Sequence, residues 1–336
     1  MTGRKRILNL LAGEPVDRIP NMPITMMLAA DTLGVSYREY VTDYRKLVEA
    51  QIVTAETYKI DHVSCISDPA REASGYGAGI IFFDDQPPAI DETNALLADK
   101  STFKQLKPLD LYREGSRTLD RIKAAELFAG RVGQTHLVEG WVEGPCAESS
   151  DIRGINHLMT DFLDDPGFVT DLFDFVTENA IRFAKAQVEV GAELIGVGDA
   201  AASLVGPKLY EQFVLPFEQK LIAAIHGFGA KVRLHICGNT NRITAMMAKS
   251  GADFIDLDSM VDITKARTAM GPGQVVAGNI DPVKVMKNGT PELIAEKLAE
   301  CRTAAGSNYI ITAGCEVPRG TPPENLHALA VFSRSG

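Results

Sequence analysis

Val232-Arg233-Leu234-His235-Ile236-Cys237-Gly238 is a short apolar run that ends in a glycine, and residues 254–259 form the next such run along the chain. Short apolar runs separated by helix-length segments are typical of parallel strands in βαβ units. The same pattern along the whole chain predicts eight strands: 18–25, 62–68, 137–145, 194–199, 232–238, 254–259, 274–280 and 309–317. Eight successive units favour a closed (β/α)8 TIM barrel over a doubly wound sheet, so the predicted fold class is α/β.

The segments between the predicted strands carry helix signals. Thr290 offers an N-cap to one helix, and Gly306 ends it. Residues before about 18 predict an N-terminal helical cap, and 75–88 predict a β-hairpin inserted after the second strand. Because no linker or repeat interrupts the pattern, residues 1–336 are predicted to form a single barrel domain.

Composition excludes several classes of function. The 34 Lys and Arg against 44 Asp and Glu give a formal net charge of −10, which disfavours nucleic-acid binding. No apolar run reaches the length of a membrane span, and the apolar stretch at 7–12 is too short for a secretion signal. Five scattered cysteines, an odd number, argue against a disulfide framework. These features predict a cytoplasmic protein with no membrane or nucleic-acid partner.

A possible metal centre lies at the ends of two predicted strands. His235 and Cys237 stand two residues apart, so both point to one face of their strand, which in a barrel is the inner face. Gly238 marks the carboxyl end of that strand, where barrel active sites are built. Cys315 lies at the end of the eighth predicted strand, so one imidazole and two thiolates can meet at the barrel mouth.

This set of donors predicts a zinc site. Zn²⁺ prefers nitrogen and sulfur ligands in a tetrahedron, and three protein ligands with one open position are typical of catalytic zinc. Zinc held in this way deprotonates an incoming thiol near neutral pH. A single strand cysteine is usually a buried apolar residue, and a single histidine is usually part of the core. One histidine and two cysteines together at two predicted strand ends favour a metal site over separate core residues.

Several stretches of the chain together resemble the uroporphyrinogen decarboxylase superfamily. Among its branches, the zinc-containing methylcobalamin:coenzyme M methyltransferase type fits best. The resemblance covers the whole chain and is strongest after residue 230. It rests on Gly-Glu-Pro-Val-Asp-Arg-Ile-Pro at 13–20, Glu-Gly-Pro at 143–145, Leu-His-Ile-Cys-Gly-Asn at 234–239, Gly-Ala-Asp-Phe-Ile-Asp-Leu-Asp at 251–258, Ala-Gly-Asn-Ile-Asp-Pro at 277–282, Gly-Cys-Glu-Val-Pro at 314–318 and Thr-Pro-Pro-Glu-Asn-Leu at 321–326.

The resemblance implies a fold, a ligand set and a reaction. The family's metal ligands fall on His235, Cys237 and Cys315, and its fold is a TIM barrel. It implies that a zinc-bound thiolate attacks the methyl group on the cobalt of a corrinoid (cobalamin). Because the chain lacks an Asp-x-His-x-x-Gly cobalamin signature, we expect the corrinoid on a partner protein. The expected acceptor is a small-molecule thiol such as coenzyme M or homocysteine.

One departure separates this chain from the decarboxylases themselves. Those enzymes carry an Arg-Gln-Ala-Gly-Arg-type segment near the N-terminus that holds substrate carboxylates. Here the stretch at 21–27 is Asn-Met-Pro-Ile-Thr-Met-Met, with no arginine. A substrate with many carboxylates would lack its cationic clamp, so tetrapyrrole decarboxylation is not expected.

Further candidate site residues lie at other predicted strand ends. Asp258 could be a fourth zinc ligand or a partner of His235, or it could cap a loop. Asn279 could bind substrate or cap the next helix. Asp199 is a candidate for catalysis and, with Gly144 and Pro145, for corrinoid binding, since the small residues around it leave room for a bulky ligand; a structural role is equally compatible with it.

The pattern also leaves other functions open. A demethylase would use the same ligands to pass a methyl group from a small molecule to cob(I)alamin. A non-catalytic metal-binding or corrinoid-docking barrel would have a fourth tightly held ligand. A metal-free isomerase or decarboxylase on this fold would be insensitive to chelation.

Overall fold

Helices and strands alternate along the chain in the computed structural model, which describes residues 1–335. The strands are β1 (His62–Ser64), β2 (Ile80–Ile81), β3 (Ala89–Ile90), β4 (Leu137–Glu143), β5 (Leu194–Gly198), β6 (Lys231–His235), β7 (Phe254–Asp256), β8 (Val275–Ala277) and β9 (Tyr309–Ile310). The α-helices are α1 (Gly3–Leu11), α2 (Met27–Leu33), α3 (Tyr37–Thr42), α4 (Tyr44–Tyr58), α5 (Ala70–Tyr76), α6 (Arg117–Val132), α7 (Pro145–Arg153), α8 (Ile155–Asp164), α9 (Pro166–Glu189), α10 (Gly206–Leu209), α11 (Leu215–Gly227), α12 (Thr244–Met247), α13 (Ile263–Met270), α14 (Pro291–Ala305) and α15 (Pro323–Ser335). Short 3-10 segments cover Glu92–Asn94, Lys100–Gln105 and Ala200–Leu204, and π-helical turns cover Tyr210–Val214 and Pro282–Lys287.

Seven of the strands form one parallel sheet in the order β1-β4-β5-β6-β7-β8-β9. Neighbouring strands in this sheet are connected through helices, as βαβ units require. The register pairs Gly198 with His235 and His235 with Asp256, so the last residues of β5, β6 and β7 lie side by side. The predicted α/β barrel is confirmed, and the carboxyl ends of its strands share one edge.

The eighth barrel position is filled by an irregular segment and not by the strand predicted at 18–25. Met22 N donates to Ile311 O at 2.8 Å on one side, and Asp61 N donates to Asn21 O at 2.9 Å on the other. The segment therefore joins the two outer strands, β9 and β1. Pro20 and Pro23 have no N–H to donate, which prevents a regular ladder and leaves Asn21 with a single bridge to Ile311.

The other predicted strands exist but end earlier than the sequence suggested. The strand predicted at 232–238 ends at His235, and the one predicted at 309–317 ends at Ile310. Cys237 and Cys315 therefore lie in the loops that follow β6 and β9. Those loops form the barrel mouth.

Helix α1 closes the opposite end of the barrel, as the predicted N-terminal cap. Thr2 caps the helix by accepting a hydrogen bond from Lys5 N. Ile7 and Leu10 pack with Leu137, Phe254 and the other apolar residues at the beginnings of the strands. Burial of a side chain such as that of Ile7 contributes about 1.5–3 kcal/mol to stability. With this end sealed, the carboxyl end remains open to ligands.

The predicted hairpin at 75–88 is present but displaced along the chain. Ile80 pairs with Ile90 in the antiparallel β2–β3 pair, so the hairpin spans 80–90. Gly75 and Tyr76 belong to α5 instead, because Gly77 with φ of 103° ends that helix in the left-handed conformation.

None of the helices within residues 1–335 combines the length and the apolar character needed to cross a bilayer.

A candidate metal centre at the barrel mouth

His235, Cys237 and Cys315 meet at the carboxyl end of the barrel. His235 Nε2 lies 3.0 Å from Cys237 Sγ and 3.8 Å from Cys315 Sγ, and the two sulfurs are 3.7 Å apart. Tetrahedral zinc, with bonds of about 2.3 Å to sulfur and about 2.0 Å to nitrogen, places two sulfurs about 3.8 Å apart and nitrogen about 3.6 Å from sulfur. The distances from Cys315 Sγ match these values, and the 3.0 Å between His235 Nε2 and Cys237 Sγ is shorter than the expected nitrogen–sulfur distance. The three donor atoms, all within 4.8 Å of one another, could hold one metal ion if Cys237 moves slightly away from His235.

Asp256, at the end of β7, orients the imidazole. Its Oδ2 lies 2.9 Å from His235 Nδ1 and also accepts a hydrogen bond from Arg233 Nε at 2.7 Å. Although burial opposes ionisation, Arg233 and His235 hold the pKa of Asp256 below its usual range. A carboxylate at this position accepts a hydrogen bond from Nδ1–H, which keeps the ring proton on Nδ1 and leaves Nε2 free to face the sulfurs as a ligand. The ligand set is thus supported from behind by a buried ion pair.

Cys315, one of the two cysteines at the mouth, differs chemically from the other thiols. Hydrogen bonding from Cys237 and from His235 lowers the pKa of the Cys315 thiol to about 4, against the effect of burial. Burial instead raises the pKa of Cys65 to about 12 and that of Cys146 well above its usual value. The hydrogen bond with Cys315, together with burial, raises the pKa of the Cys237 thiol. Since metals bind thiolates, a metal ion at this site would have to hold Cys237 in its deprotonated form.

A cavity of about 210 Å³ opens directly onto the three donor atoms. Besides those residues, its wall is formed by apolar or small residues and by three carboxyl groups: Ile24, Met26, Ile66, Pro69, Trp141, Gly198 and Ala200, with Asp68, Glu143 and Glu316. Burial raises the pKa of Glu143 to about 8 and that of Glu316 to about 7. The cavity is large enough for a small thiol and largely apolar next to the candidate ligands.

Asp258 and Asn279 lie behind the mouth loops. Asp258 Oδ2 accepts from Gly238 N at 2.8 Å and its Oδ1 accepts from Met260 N at 2.9 Å. Asn279 Nδ2 donates to Asp258 O at 3.0 Å and to Val261 O at 2.7 Å. Both side chains therefore bind backbone of the loops after β6 and β7, and the carboxylate in contact with His235 belongs to Asp256.

Asp199, Gly144 and Pro145 form a second group beside the cavity, outside its wall. Asp199 Oδ1 accepts from Ala147 N at 2.6 Å in the first turn of α7, which begins at Pro145. A Cβ on Gly144 would lie 2.5 Å from Asp199 Cβ, so only glycine fits there. Burial raises the pKa of Asp199 to about 7, and Glu218 lies beside it.

Among the residues that contact the candidate ligands or line the cavity, Asp256, Glu143, Trp141 and Glu316 were not selected from the sequence. Asp256 alternates with Asp258 on one predicted strand, and only the register of β6 with β7 shows which of the two reaches His235. Glu143 and Trp141 point inward from β4, and Glu316 follows Cys315. In the sequence, only their positions near predicted strand ends marked these residues. A carboxylate or tryptophan at a strand end is compatible with many roles, so position alone could not select them.

Comparison with known proteins identifies the family and agrees with the fold. The family described as Uroporphyrinogen decarboxylase (URO-D) matches residues 2–335. A Methylcobamide:CoM methyltransferase, MtbA of Methanosarcina mazei, is 30% identical over 99% of this chain and 98% of its own length. The Uroporphyrinogen decarboxylase of Microcystis aeruginosa is 25% identical over 97% of this chain and 96% of its own length.

Solved structures show the same fold. A methyltransferase from Methanosarcina mazei superimposes with a TM-score of 0.86 at 23% identity, covering 100% of this chain and 99% of that one. A B12-independent methionine synthase from Shewanella sp. superimposes with a TM-score of 0.62 at 13% identity, covering 95% of this chain and 96% of that one. The family profile and the full-length relatives together show that this chain belongs to the uroporphyrinogen decarboxylase (URO-D) family.

Proposed function

We propose that this protein is a zinc-dependent methyltransferase that transfers a methyl group from a methylated corrinoid to a thiol. The observation that carries the proposal is the triangle of His235 Nε2, Cys237 Sγ and Cys315 Sγ, whose spacing suits one metal ion, with a cavity on its open side. The relatives named as methylcobamide:CoM methyltransferases support the corrinoid as donor and a thiol as acceptor.

Zinc bound to these three residues would lower the pKa of an incoming thiol and so make its sulfur nucleophilic. A methylated corrinoid would supply the methyl group: the thiol would lose its proton to solvent, its sulfur would bond to the methyl carbon, and the corrinoid would keep the electron pair of the broken cobalt–carbon bond. The chain's own task is positioning. Asp256 fixes His235, and the apolar wall around Trp141 excludes water, so that the acceptor is held in line with the methyl group.

We further propose positioning roles for the remaining candidate residues. Asp258 and Asn279 hold the loops that follow β6 and β7, and those loops carry Cys237. Asp199 holds the first turn of α7 at Gly144 and Pro145, next to the mouth where a protein-bound corrinoid would dock. The corrinoid is expected to arrive on a separate protein.

The experiment combines metal analysis with turnover. The purified protein, loaded with zinc, is mixed with methylcobalamin and a thiol panel that includes coenzyme M and homocysteine, and loss of the methylcobalamin absorbance is followed. We expect thiol-dependent demethylation that chelation abolishes and zinc restores. Zinc binding without thiol-dependent turnover would favour the demethylase or docking function. Turnover that survives complete removal of the metal would refute the zinc mechanism.

A further inference from the structure

The wall of the cavity contains a hydrogen-bond donor that the described part of the protein does not use, the indole N–H of Trp141. On the basis of the proposed function, we propose that this N–H binds an oxygen atom that the acceptor thiol carries a few bonds from its sulfur. The acceptor is then a thiol with an oxygen-containing group and not a simple alkanethiol. The inference rests on where the indole lies and on its nitrogen having no partner within residues 1–335.

Two glycines of β5 make room for the indole on the inner face of the barrel. Trp141, on β4, pairs with Gly196, and Gly198 follows two residues later on the same face of β5. A Cβ on Gly196 would overlap with Trp141 Cε3, and a Cβ on Gly198 would lie 3.0 Å from Trp141 Nε1. The six-membered ring of the indole therefore lies over Gly196 and its nitrogen lies over Gly198.

The nitrogen lies at the end of the indole that is nearer to the metal centre. Gly198 is the last residue of β5 and pairs with His235, so Trp141 Nε1 is level with a candidate ligand. The centroids of the indole and imidazole rings are 6.5 Å apart, and both side chains line the cavity. A thiol with its sulfur at the three donor atoms would therefore place its next few atoms beside the indole nitrogen.

The indole N–H makes no hydrogen bond with any of the residues that the structure describes. Gln187 contacts only the backbone of Trp141: its Oε1 accepts from Trp141 N at 2.9 Å, and its Nε2 donates to Trp141 O at 3.0 Å. Trp141 is 3% exposed, so bulk water has little access to its nitrogen. A buried donor without a partner is unfavourable, and a buried tryptophan N–H usually has one. An oxygen on a ligand in the cavity would supply that partner.

The groups around the nitrogen restrict what the ligand can carry there. Ile24, Ile66 and Met26 pack with the indole and offer it no oxygen. Glu143 Oε2 would lie 3.3 Å from the same Cβ on Gly198, but within residues 1–335 it accepts no hydrogen bond from the indole. A hydroxyl can accept from Trp141 and can also meet the Glu143 carboxyl in either protonation state, because a hydroxyl both donates and accepts. A methyl or an ammonium group cannot accept from the indole.

Trp141 is the only tryptophan in the sequence, which allows a direct test on the unaltered protein. Isotope-labelled, zinc-loaded protein is studied by proton–nitrogen NMR, in which a hydrogen bond from the indole moves its N–H proton resonance downfield. The probes are 2-mercaptoethanol, 2-mercaptoethanesulfonate (coenzyme M) and 1-propanethiol, which carry a hydroxyl, a sulfonate and a methyl group on the same HS–CH₂–CH₂ chain. Without the corrinoid, we expect at least one oxygen-bearing thiol to move the resonance downfield and propanethiol to leave it in place.

A variant separates the hydrogen bond from the shape of the cavity. Trp141→Phe removes the N–H and keeps an aromatic ring in the wall, and Kd for each thiol is measured by calorimetry. The preference for the oxygen-bearing thiol over propanethiol should fall by about three- to tenfold, the effect of one hydrogen bond. Taking the ratio to propanethiol removes the effect of the smaller ring, which the thiols share. Tyr112→Phe, at an exposed position outside the cavity wall, should leave the ratio unchanged.

The outcomes distinguish this inference from the proposed function. An indole resonance that responds to propanethiol as it does to both oxygen-bearing thiols would overturn the role of Trp141 while thiol methylation itself stands. A ratio that Trp141→Phe leaves unchanged for both of them would do the same. Failure of all three thiols to demethylate methylcobalamin would instead refute the proposed function, even if the indole resonance shows that the cavity binds an oxygen-bearing thiol.

Discussion

Replacement of Asp256 by asparagine tests the buried support of the metal centre. Asp256 is 2% exposed, and its Oδ2 contacts His235 Nδ1 at 2.9 Å and Arg233 Nε at 2.7 Å. The asparagine side chain would keep an acceptor oxygen but lose the charge. A hydrogen bond to a charged group contributes about 1.5–3 kcal/mol and a neutral one about 1 kcal/mol, so the His235 contact loses about 1–2 kcal/mol.

That loss converts to a zinc Kd raised by about five- to thirtyfold, at about 1.4 kcal/mol per factor of ten. This increase in the zinc Kd agrees with the general effect of removing a carboxylate that orients a histidine ligand. The assay is competition for Zn²⁺ against a chromophoric chelator, run on folded protein whose far-UV circular dichroism matches the wild type.

Asp258→Asn is the matched control, because it makes the same chemical change two residues further along the chain. The Asp258 carboxylate contacts Gly238 N and Met260 N and not His235. We expect the zinc Kd of this variant to change by less than about threefold, a loss below about 1 kcal/mol. If Asp256→Asn left zinc affinity unchanged, or if both variants weakened it equally, the reasoning about Asp256 would be refuted.

Three further predictions concern other residues. Cys237→Ala should abolish zinc binding and thiol methylation together, measured by metal analysis and the methylcobalamin assay, whereas Cys301→Ala, in the buried face of α14, should retain both; the opposite pattern would contradict the ligand set. Asn279→Ala removes two buried hydrogen bonds to the loop after β7 and should lower the free energy of unfolding by about 1–3 kcal/mol in urea denaturation; an unchanged midpoint would argue against a positioning role. Burial raises the pKa of Asp199 to about 7, and burial together with the charge of Asp199 raises the pKa of Glu218. Because the folded state then holds protons that the unfolded carboxyls release near pH 4, the free energy of unfolding should fall as pH rises from about 4 to about 7. Glu218→Gln should flatten this dependence by up to about 1 kcal/mol per pH unit, measured by urea denaturation between about pH 5 and 8; an identical slope in the variant would contradict the shared burial of the two carboxyls.

The sequence predicted the barrel because each strand is a short apolar run between helix signals, a pattern that depends only on local residues. It failed at 18–25 for a physical reason. Pro20 and Pro23 leave the segment apolar while removing the donors that a ladder needs, so the segment closes the barrel through Asn21 and Met22 without becoming a strand.

Some residues of the candidate site could be predicted from the sequence and others could not. His235, Cys237 and Cys315 could be selected because their residue types and their places at strand ends both suggest a metal. The choice between Asp256 and Asp258 could not be made from the sequence, since alternation along a strand places both on one face. The register of β6 with β7 brings Asp256 to His235. Because β7 ends at Asp256, Asp258 lies beyond the strand and binds the backbone of the loop after β6.

The surroundings of Glu316 in the cavity wall depend on contacts from distant parts of the chain. Its hydrogen bond comes from Met27, and the arginines that neutralise Asp68 and Glu143 come from α6 and α5. No local pattern around Glu316 indicates that it lacks an ion-pair partner among the residues described. Which charged groups surround the cavity therefore depends on the folded barrel and could not be predicted from the sequence.

The most direct test of the zinc site is the metal content of the purified protein and of its Cys237→Ala variant. We expect about one zinc per chain in the wild type, as a single site requires, and none in the variant, with the wild-type zinc released by chelators and restored by Zn²⁺. A wild-type protein that takes up no zinc even after reconstitution, or a variant that binds it as well, would contradict the account, and His235, Cys237 and Cys315 would then not be zinc ligands.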